Sequence, residues 1–344
     1  MKIYSIRLES LVQRVSNTVE NQKLKNIATD LPRIVLACRA KNTVKKYQSY
    51  FRQWKRWCDL FPEVHPMPAN EHHVAIYMCS LIQNNQSDAV VESVFYAIQH
   101  FHKLNLHDDP FQSPLCENIV EASKRLTKRR VTKKEPITVD HLKKVYETLG
   151  CKETASLLNL RTFTMMVLSF VGFLRYSEVS ELKRSDFVFE QTYLKIFIEK
   201  SKTDIYRQGN WLFISKLNSH ICPISILKAY FKRCRIDPES DSFVFRAMTF
   251  FKSKSSHELR RKNTPICYST ARSNMLALLS KIGLDEKLFG LHSLRSGGAT
   301  VAANNGVKDR LFKRNGRWKS EKAKDGYVKD NLEELLTVSL HLGL

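Results

Sequence analysis

A short basic segment divides the 344-residue chain into two blocks with different hydrophobic patterns. Residues 124–134 carry seven Lys and Arg and no acid, and the segment ends at Glu135-Pro136. Apolar residues recur at helical steps of three and four before it, whereas stretches of period two appear after it. Because 344 residues are long for one hydrophobic core, the segment predicts a linker between two domains.

These patterns predict four regions along the chain. They are a polar helical lead-in over 1–30, a helical domain over 31–126, the basic linker over 127–137 and a mixed domain over 138–344. The linker residues Arg129, Arg130 and Lys133 are expected to lie against phosphate groups of a polyanion. Two other interpretations of the basic segment stay open, a nuclear localisation signal and a merely solvated linker.

The helical domain is indicated by a strong apolar period. Asn42 or Thr43 is the expected N-cap of its first long helix. The apolar positions of that helix are Val44, Tyr47, Phe51, Trp54, Cys58 and Phe61. Lys45, Lys46 and Arg52 occupy polar positions between them and are candidate contacts to a polyanion. Further helices are expected near residues 70–83, 88–105 and 114–126.

The mixed domain is predicted to be mostly helical with one small sheet. Residues 193–199 alternate with period two and 211–214 form a second apolar run, so we expect two strands joined by a hairpin loop over 200–210. The helices are expected near residues 138–149, 154–171, 175–183, 223–235, 268–282 and 292–304. The predicted fold class is therefore mostly α with a small β-sheet, in two domains.

The net charge of +22 indicates a polyanionic partner. Nucleic acid is the first candidate, because phosphate contacts dominate its affinity for basic proteins, and a membrane surface is the second. The basic residues are spread along the chain rather than set on one amphipathic helix, which favours nucleic acid. The longest apolar run, residues 165–174, is well below the roughly 20 residues of a spanning helix, so we expect no membrane segment.

The eight cysteines form no Cys-x-x-Cys pair, which argues against a zinc ribbon. Their apolar neighbours favour an intracellular compartment, and we expect them to be small buried hydrophobic residues. They are Cys38, Cys58, Cys79, Cys116, Cys151, Cys222, Cys234 and Cys267.

Residues far apart in the mixed domain carry the candidate chemistry. His292 and Arg295 are three apart, on one face of a helix, and Arg175 lies far upstream beside the acid Glu178. Two arginines suit the charge that develops on an attacked phosphate, because each guanidinium bonds two oxygens and keeps its proton. His292 and Trp318 each carry a ring N–H for the same phosphate, and Trp318 is expected to act by packing and positioning.

Tyr327 is the candidate nucleophile, since a phenolate can form a covalent phosphoester. A phenol ionises near pH ~10 and therefore needs positive surroundings. Residues 308–324 supply eight basic residues against two acids. Lys202, in the predicted hairpin loop, is the candidate acid that protonates a leaving 5′-oxygen, and Lys200 is its nearest rival.

As a set, these residues resemble the tyrosine recombinase, or phage-integrase-like, family. Its motif is Arg, Lys, His-x-x-Arg, His or Trp, and Tyr, and Glu178 matches the acid that supports the first Arg. The motif falls here on Arg175, Lys202, His292, Arg295, Trp318 and Tyr327. The resemblance implies a core-binding domain over 31–126 and a catalytic domain over 138–344 that together clamp double-stranded DNA.

The resemblance also implies a reaction and an assembly. The family joins a 3′-phosphate to its tyrosine, frees a 5′-hydroxyl and uses no metal, nucleotide or other cofactor. It usually works as a homotetramer on two duplexes, with a C-terminal helix docked on a neighbour, which suits residues 333–344. The implied DNA-binding residues are Lys45, Lys46, Arg52, Arg129, Arg130 and Lys133.

A narrower resemblance concerns the two segments Lys202-Thr-Asp-Ile-Tyr-Arg-Gln-Gly and Gly316-Arg-Trp-Lys-Ser. They are most similar to recombinases of eukaryotic mobile elements, or to genes derived from them. Such a source would place the protein in a nucleus.

Three functions stay open at this point: a site-specific DNA recombinase or integrase, a DNA-binding protein that has lost catalysis, and a type IB topoisomerase. The complete motif favours the first. Gly297-Gly298 departs from it, because two glycines weaken a helix by about 1 kcal/mol each relative to Ala. The pair indicates either a close approach of DNA or another helix, or a degenerate site.

Overall fold

The computed structural model describes residues 12–13, 15–105, 107–111, 114–127, 133–150, 152–202, 204, 208–330 and 332–342. The chain divides into two compact units, Met1–Val131 and Thr132–Leu344. The division falls inside the basic segment of the sequence.

The N-terminal unit is built of helices, with no strand among its described residues. They are α1 (Gln22–Ala28), α2 (Leu31–Leu36), α3 (Lys41–Cys58), α4 (Glu71–Gln83), α5 (Asp88–Leu104) and α6 (Leu115–Leu126). Helix α3 has Ala40 as its N-cap, so the predicted N-caps Asn42 and Thr43 are wrong. Phe61 lies beyond the end of α3 and contacts Trp57 from the following turn, at 4.9 Å between ring centroids.

The core of this unit is rich in aromatic rings. The fully buried indole of Trp54 lies 5.3 Å from Tyr77 of α4, measured between ring centroids, and its N–H donates to the carbonyl of Pro66 at 3.1 Å. Phe51 packs at 4.6 Å on Phe101 of α5. The period of α3 therefore reflects one face that is buried against α4 and α5.

The C-terminal unit combines helices with two antiparallel sheets. Its helices are α7 (Val139–Leu149), α8 (Leu157–Val171), α9 (Tyr176–Ser180), α10 (Pro223–Arg233), α11 (Tyr268–Lys281), α12 (His292–Asn304), α13 (Asp309–Gly316), α14 (Glu321–Asp325) and α15 (Leu332–Leu340). The predicted helix over 175–183 is shorter, since α9 ends at Ser180 and a 3₁₀ turn follows at Arg184–Asp186.

The larger sheet has the strand order β1 (Phe187–Phe189), β2 (Tyr193–Ile198), β3 (Asn210–Ser215). Strands β2 and β3 pair from Tyr193 opposite Ser215 to Ile198 opposite Asn210, and alternate residues of β2 are buried. A separate hairpin joins β4 (Met248–Phe251) to β5 (Ser256–Leu259). The fold class is confirmed as mostly helical, but the prediction of one sheet is wrong, because short strands such as β1, β4 and β5 give too weak a period.

Helix α8 lies at the centre of the C-terminal unit. Every residue from Leu160 to Phe170 is buried, and α10, α11 and α12 pack against it. Burial on all sides explains why the polar residues of α8, such as Arg161, Thr162 and Thr164, do not form one solvent-facing side. No helix among the described residues is long and apolar enough to cross a membrane.

The cysteines differ from the prediction. Cys58, Cys116 and Cys222 are buried, in line with small apolar residues. Cys38, Cys79 and Cys267 are exposed, so burial was wrong for these three. Cys234 is intermediate, and Cys151 lies outside the described residues.

Candidate active site

The carboxylate of Glu178 is the centre of a buried charged cluster. Arg175 is the N-cap of α9, and its Nη1 donates to Glu178 Oε1 at 2.7 Å. The backbone N–H of Arg175 donates to Glu178 Oε2 at 2.9 Å. The Glu178 side chain is only 1% exposed, so the acid at the third position of the helix both caps α9 and fixes the arginine.

Arg295, on α12, is fully buried beside this pair. Its Nη1 donates to the carbonyl of Phe173 and lies 3.9 Å from Glu178 Oε2, and its Nη2 donates to the carbonyl of Gly316 at 2.6 Å. The guanidinium carbon lies 4.7 Å from the ring centre of Trp318 and 4.8 Å from that of Tyr327. Arg295 therefore joins α12, the end of α8 and the segment that carries the phenol.

A third arginine, Arg317, completes the cluster, and sequence reasoning missed it. Its Nη2 donates to Glu178 Oε2 at 2.8 Å and to the carbonyl of Phe173 at 3.0 Å. The only sequence signal was its position directly before Trp318. Phe173 and Arg317 have positive φ angles of 47° and 54°. Non-glycine residues in the left-handed region are strained, and such strain concentrates at functional sites. The backbone of Phe173 and Arg317 therefore supports the assignment of this cluster to a functional site.

The cluster carries more positive than negative charge. Three guanidinium groups meet one carboxylate. Burial raises the pKa of Glu178, but the charge of Arg317 and then the bonds from Arg175 outweigh it and hold the pKa below its ordinary value. Burial first, and the charge of Arg175 second, lower the pKa of Arg295 to about 10. Glu178 and Arg295 are thus ionised near pH 7, and the excess of guanidinium groups over carboxylates is suited to an anion.

The phenol of Tyr327 lies above this cluster, next to His292. Tyr327 Oη is 3.4 Å from His292 Nε2, and the phenol is partly buried. Burial, then the charges of Arg295 and Arg175, lower the pKa of His292, so its imidazole is neutral near pH 7. Thr300, on the same helix as His292, accepts a hydrogen bond from the backbone N–H of Lys329 at 3.1 Å and so fastens the chain just after Tyr327. Thr300 was not predicted.

Trp318 packs under the phenol. Its ring centre lies 5.5 Å from that of Tyr327 and 5.1 Å from that of Phe312, and the residue is 5% exposed. Its indole N–H is buried without a hydrogen-bond partner among the described residues. The contact of this ring that the structure shows is packing.

Lys202 and Lys200, the two candidate acids, both lie in the β2–β3 loop, but their side chains have different surroundings. Lys202 is exposed, and its positive charge adds, after burial and the charges of Arg295 and Arg175, to the lowering of the pKa of His292. Lys200 instead lines a polar cavity of about 110 Å³ whose other ionisable groups are acids. These are Glu178, Glu181, Asp186 and Glu199.

The pair Gly297-Gly298 permits close approach of two backbone segments to α12. A Cβ at Gly297 would lie 2.0 Å from the carbonyl oxygen of Ile137, and one at Gly298 would lie 2.0 Å from that of Phe170. The first of these contacts is reinforced by the N–H of Ile137, which donates to the Ser293 carbonyl at 2.9 Å. The neighbours are thus α8 and the segment that precedes α7.

The six predicted DNA-binding residues fall into three groups. Lys45, Lys46 and Arg52 are exposed on the face of α3 opposite its buried side. Lys133 is exposed in the C-terminal unit. Arg129 and Arg130 lie outside the described residues. No group of three or more His, Cys, Asp or Glu side chains in the described part of the chain could hold a metal ion.

Three known proteins that are similar to this chain in sequence or in structure are recombinases or integrases. A protein described as an integrase/recombinase xerD homolog, from Selenomonas ruminantium, is 24% identical over 339 residues, which are 95% of each chain. The XerH site-specific recombinase in a pre-cleavage complex with difH substrate has a TM-score of 0.58 at 16% identity, over 98% of this chain and 96% of XerH. The Tn1549 transposon integrase with transposon right end DNA has a TM-score of 0.52 at 12% identity, over 86% and 93%. At these identities the two structures show a shared fold.

The family assignment rests on the sequence of the C-terminal unit. Residues 135–334, more than half of the chain, match the phage integrase family. The matched range contains Arg175, Arg295 and Tyr327. This chain therefore belongs to the phage integrase family, the tyrosine recombinases, which are enzymes of DNA strand breakage and rejoining.

Proposed function

We propose that this protein is a site-specific DNA recombinase that cuts and rejoins DNA through a 3′-phosphotyrosine intermediate formed at Tyr327. The observation that carries the proposal is the 3.4 Å contact of Tyr327 Oη with His292 Nε2, above three buried guanidinium groups that share one carboxylate. A nucleophile, a proton acceptor and a phosphate-binding charge thus meet within one site.

Arg175 and Arg295 bind the scissile phosphate in this proposal. Attack places additional negative charge on the non-bridging oxygens, and guanidinium groups that are already fixed stabilise it without reorganising. Arg317 and Glu178 act as positioning residues, because their mutual bond at 2.8 Å and the Arg175 bond at 2.7 Å hold the cluster in place. Trp318 supports the phenol by packing.

The reaction moves two protons. Tyr327 Oη attacks phosphorus, its proton passes to the neutral His292, and the bond from phosphorus to O5′ breaks. Lys202 protonates the departing O5′, which leaves as a 5′-hydroxyl. Rejoining is the reverse, with the 5′-hydroxyl attacking the phosphotyrosine. Each step exchanges one phosphoester bond for another, from O5′ to Tyr327 and back. The proposed steps therefore need no nucleotide or metal.

Covalent capture tests the nucleophile. Purified protein is mixed with sheared DNA of its source, denatured and recovered, and the attached DNA is sequenced, with Tyr327→Phe in parallel. Wild-type protein is expected to retain DNA of one recurring sequence, whereas Tyr327→Phe binds DNA but retains none after denaturation. DNA retained by Tyr327→Phe would refute the assignment.

The same DNA separates recombination from two alternatives. A recombinase exchanges strands only when two copies of the captured sequence are present, whereas a type IB topoisomerase relaxes a supercoiled plasmid without it. Salt-sensitive binding with no capture by the wild type would favour a DNA-binding protein that has lost catalysis. The intact cluster around Glu178 supports the active enzyme over that alternative.

Lys202→Ala tests the leaving-group acid. It should slow single-turnover cleavage by on the order of 10²-fold, with DNA binding preserved. A duplex whose scissile 5′-oxygen is replaced by sulfur should restore the rate, because a thiolate leaves without a proton. Lys216→Ala, an exposed lysine just beyond the other end of β3, is the control and should cleave both duplexes like wild type. Equal rates for Lys202→Ala and wild type on the ordinary duplex would reassign the role to Lys200 or water.

The assembly is proposed on the same grounds. Double-stranded DNA is the partner, supported by the family and by the XerH and Tn1549 structures, which are DNA complexes. We further propose that a core-binding domain over 31–126 and a catalytic domain over 138–344, joined by the linker 127–137, clamp the duplex. The active assembly is proposed to be a homotetramer on two duplexes. Exposed leucines of α15 support docking of residues 333–344 on a neighbouring subunit. They include Leu332, Leu335, Leu336 and Leu340.

The source element is a separate part of the proposal. Similarity of the Lys202 and Trp318 segments to eukaryotic mobile-element recombinases supports such an origin, with a nuclear location as its consequence. The relative from Selenomonas ruminantium and the XerH and Tn1549 structures give this origin no support. The sequence captured from source DNA would decide it, because a mobile element carries the site at its own ends.

A further inference from the structure

We infer that Asp204 is a positioning residue for Lys202, and that its carboxylate holds the β2–β3 loop so that the lysine reaches the leaving 5′-oxygen. The inference rests on the proposed function, in which Lys202 is the acid. Nothing in the family motif includes this aspartate.

The carboxylate of Asp204 bonds to the backbone on the far side of its own loop. Asp204 Oδ1 accepts from the N–H of Gln208 at 3.0 Å, and Oδ2 accepts from the N–H of Gly209 at 2.8 Å. Strand β3 begins at the next residue, Asn210. One side chain therefore closes the loop against the two residues that directly precede β3, a strand that is paired along its whole length with β2.

The backbone of the same residue secures the chain on the other side of Lys202. The N–H of Asp204 donates to the carbonyl of Ser201 at 3.2 Å. Ser201 is buried, with 7% of its surface exposed, while Lys202 is exposed. Lys202 thus lies in a turn closed by the bond between Ser201, which is buried, and Asp204, whose carboxylate is bound to the backbone before β3. Fixing the backbone in this way reduces the conformational freedom that a loop lysine would otherwise lose at the transition state.

The charges in the loop favour this arrangement. Asp204 is the acid nearest to Lys202 in the sequence, and a direct ion pair between them would hold the ammonium away from DNA. Both carboxylate oxygens are instead occupied by backbone N–H groups, and no ion pair of Lys202 occurs within the described part of the chain. The ammonium group of Lys202 is therefore not paired with Asp204, and the aspartate bonds only to the backbone.

Changing the leaving-group atom distinguishes a role of Asp204 in positioning Lys202 from a general role in folding. Single-turnover cleavage is measured on the captured duplex with oxygen or with sulfur at the scissile 5′ position. Asp204→Ala should cleave the oxygen duplex on the order of 10-fold more slowly than wild type and the sulfur duplex at the wild-type rate. Asp204→Asn keeps one acceptor oxygen for one of the two bonds and should lie between Asp204→Ala and wild type.

The control is Glu190→Ala, an exposed acid in the turn between β1 and β2 that pairs with Lys195 at 2.8 Å. It should cleave both duplexes like wild type. An equal slowing of Asp204→Ala on both duplexes would overturn the inference and assign Asp204 to folding or DNA binding. An unchanged rate on the oxygen duplex would also overturn it. If wild-type protein attaches to neither duplex, the proposed function itself fails, which is a different outcome.

Discussion

The two units bury different kinds of side chain. The N-terminal unit surrounds the fully buried Trp54 with aromatic and aliphatic groups, whose removal from water stabilises the fold. The C-terminal unit has an apolar core too, but it also buries three guanidinium groups around Glu178. Burying charge costs free energy that ion pairs only partly offset. The difference indicates that the interior of the N-terminal unit stabilises the fold, whereas the charged part of the C-terminal interior is suited to binding an anion.

The largest effect should follow removal of the carboxylate that balances the second interior. Glu178→Ala leaves three buried guanidinium groups without a counter-charge and should lower the free energy of unfolding by about 3–5 kcal/mol. Urea denaturation measures it, and hydrogen exchange should place the lost protection in the C-terminal unit. Glu181→Ala, an exposed acid just after α9, should change stability by less than about 0.5 kcal/mol. Equal effects of the two variants would remove the contrast between the interiors.

Acidification should weaken the contribution of the Glu178 carboxylate to the stability of the C-terminal unit. The folded-state pKa of Glu178 lies below its unfolded value, so the ionised carboxylate contributes stability that is fully present above about pH 4.5. That contribution is lost as pH falls through the folded pKa. The stability difference between wild type and Glu178→Gln should therefore be constant from pH 5 to 7 and shrink on acidification. A difference that grows below about pH 4.5 would contradict the assigned sign.

A smaller effect should come from the close packing of α12. Gly298→Ala places a Cβ where it would lie 2.0 Å from the Phe170 carbonyl oxygen, so α12 and α8 must separate. We expect a loss of about 1–3 kcal/mol in the free energy of unfolding, because overpacking forces backbone shifts. Gly290→Ala meets no atom within 4 Å and is the control. Wild-type stability and cleavage by Gly298→Ala would show that the glycine pair serves something other than this contact.

The smallest effect on stability should come from the exposed face of α3. Lys45→Ala, Lys46→Ala and Arg52→Ala should each change the free energy of unfolding by less than about 0.5 kcal/mol. Each side chain that contacts a phosphate should lower the salt slope of DNA binding by about 0.9 when it is removed. Fluorescence anisotropy at several salt concentrations measures the slope. An unchanged slope in the triple variant would exclude this face of α3 from the DNA interface.

What the sequence could predict differs between the two units. Helices α3 to α6 of the N-terminal unit follow from apolar period, because one face of each of them is buried. In the C-terminal unit the helix near residues 154–171 was also predicted and is observed as α8, whereas the short strands β4 and β5 were missed. Residue types at long spacings predicted the site, since Arg175, Arg295 and Tyr327 suit one reaction. Arg317, Thr300 and Asp204 were missed, because their roles arise from contacts with backbone and with Glu178 that no local pattern encodes.

The most direct test of the central claim is to locate the covalent bond between protein and DNA. Wild-type protein attached to its captured DNA is digested with nuclease and trypsin, and the modified peptide is sequenced by mass spectrometry. Cleavage after Lys324 and Lys329 yields a peptide of residues 325–329, which contains a single tyrosine. The account predicts a nucleotide joined through its 3′-phosphate to Tyr327 in that peptide. A nucleotide on any other residue, or one joined through its 5′-phosphate, would contradict it.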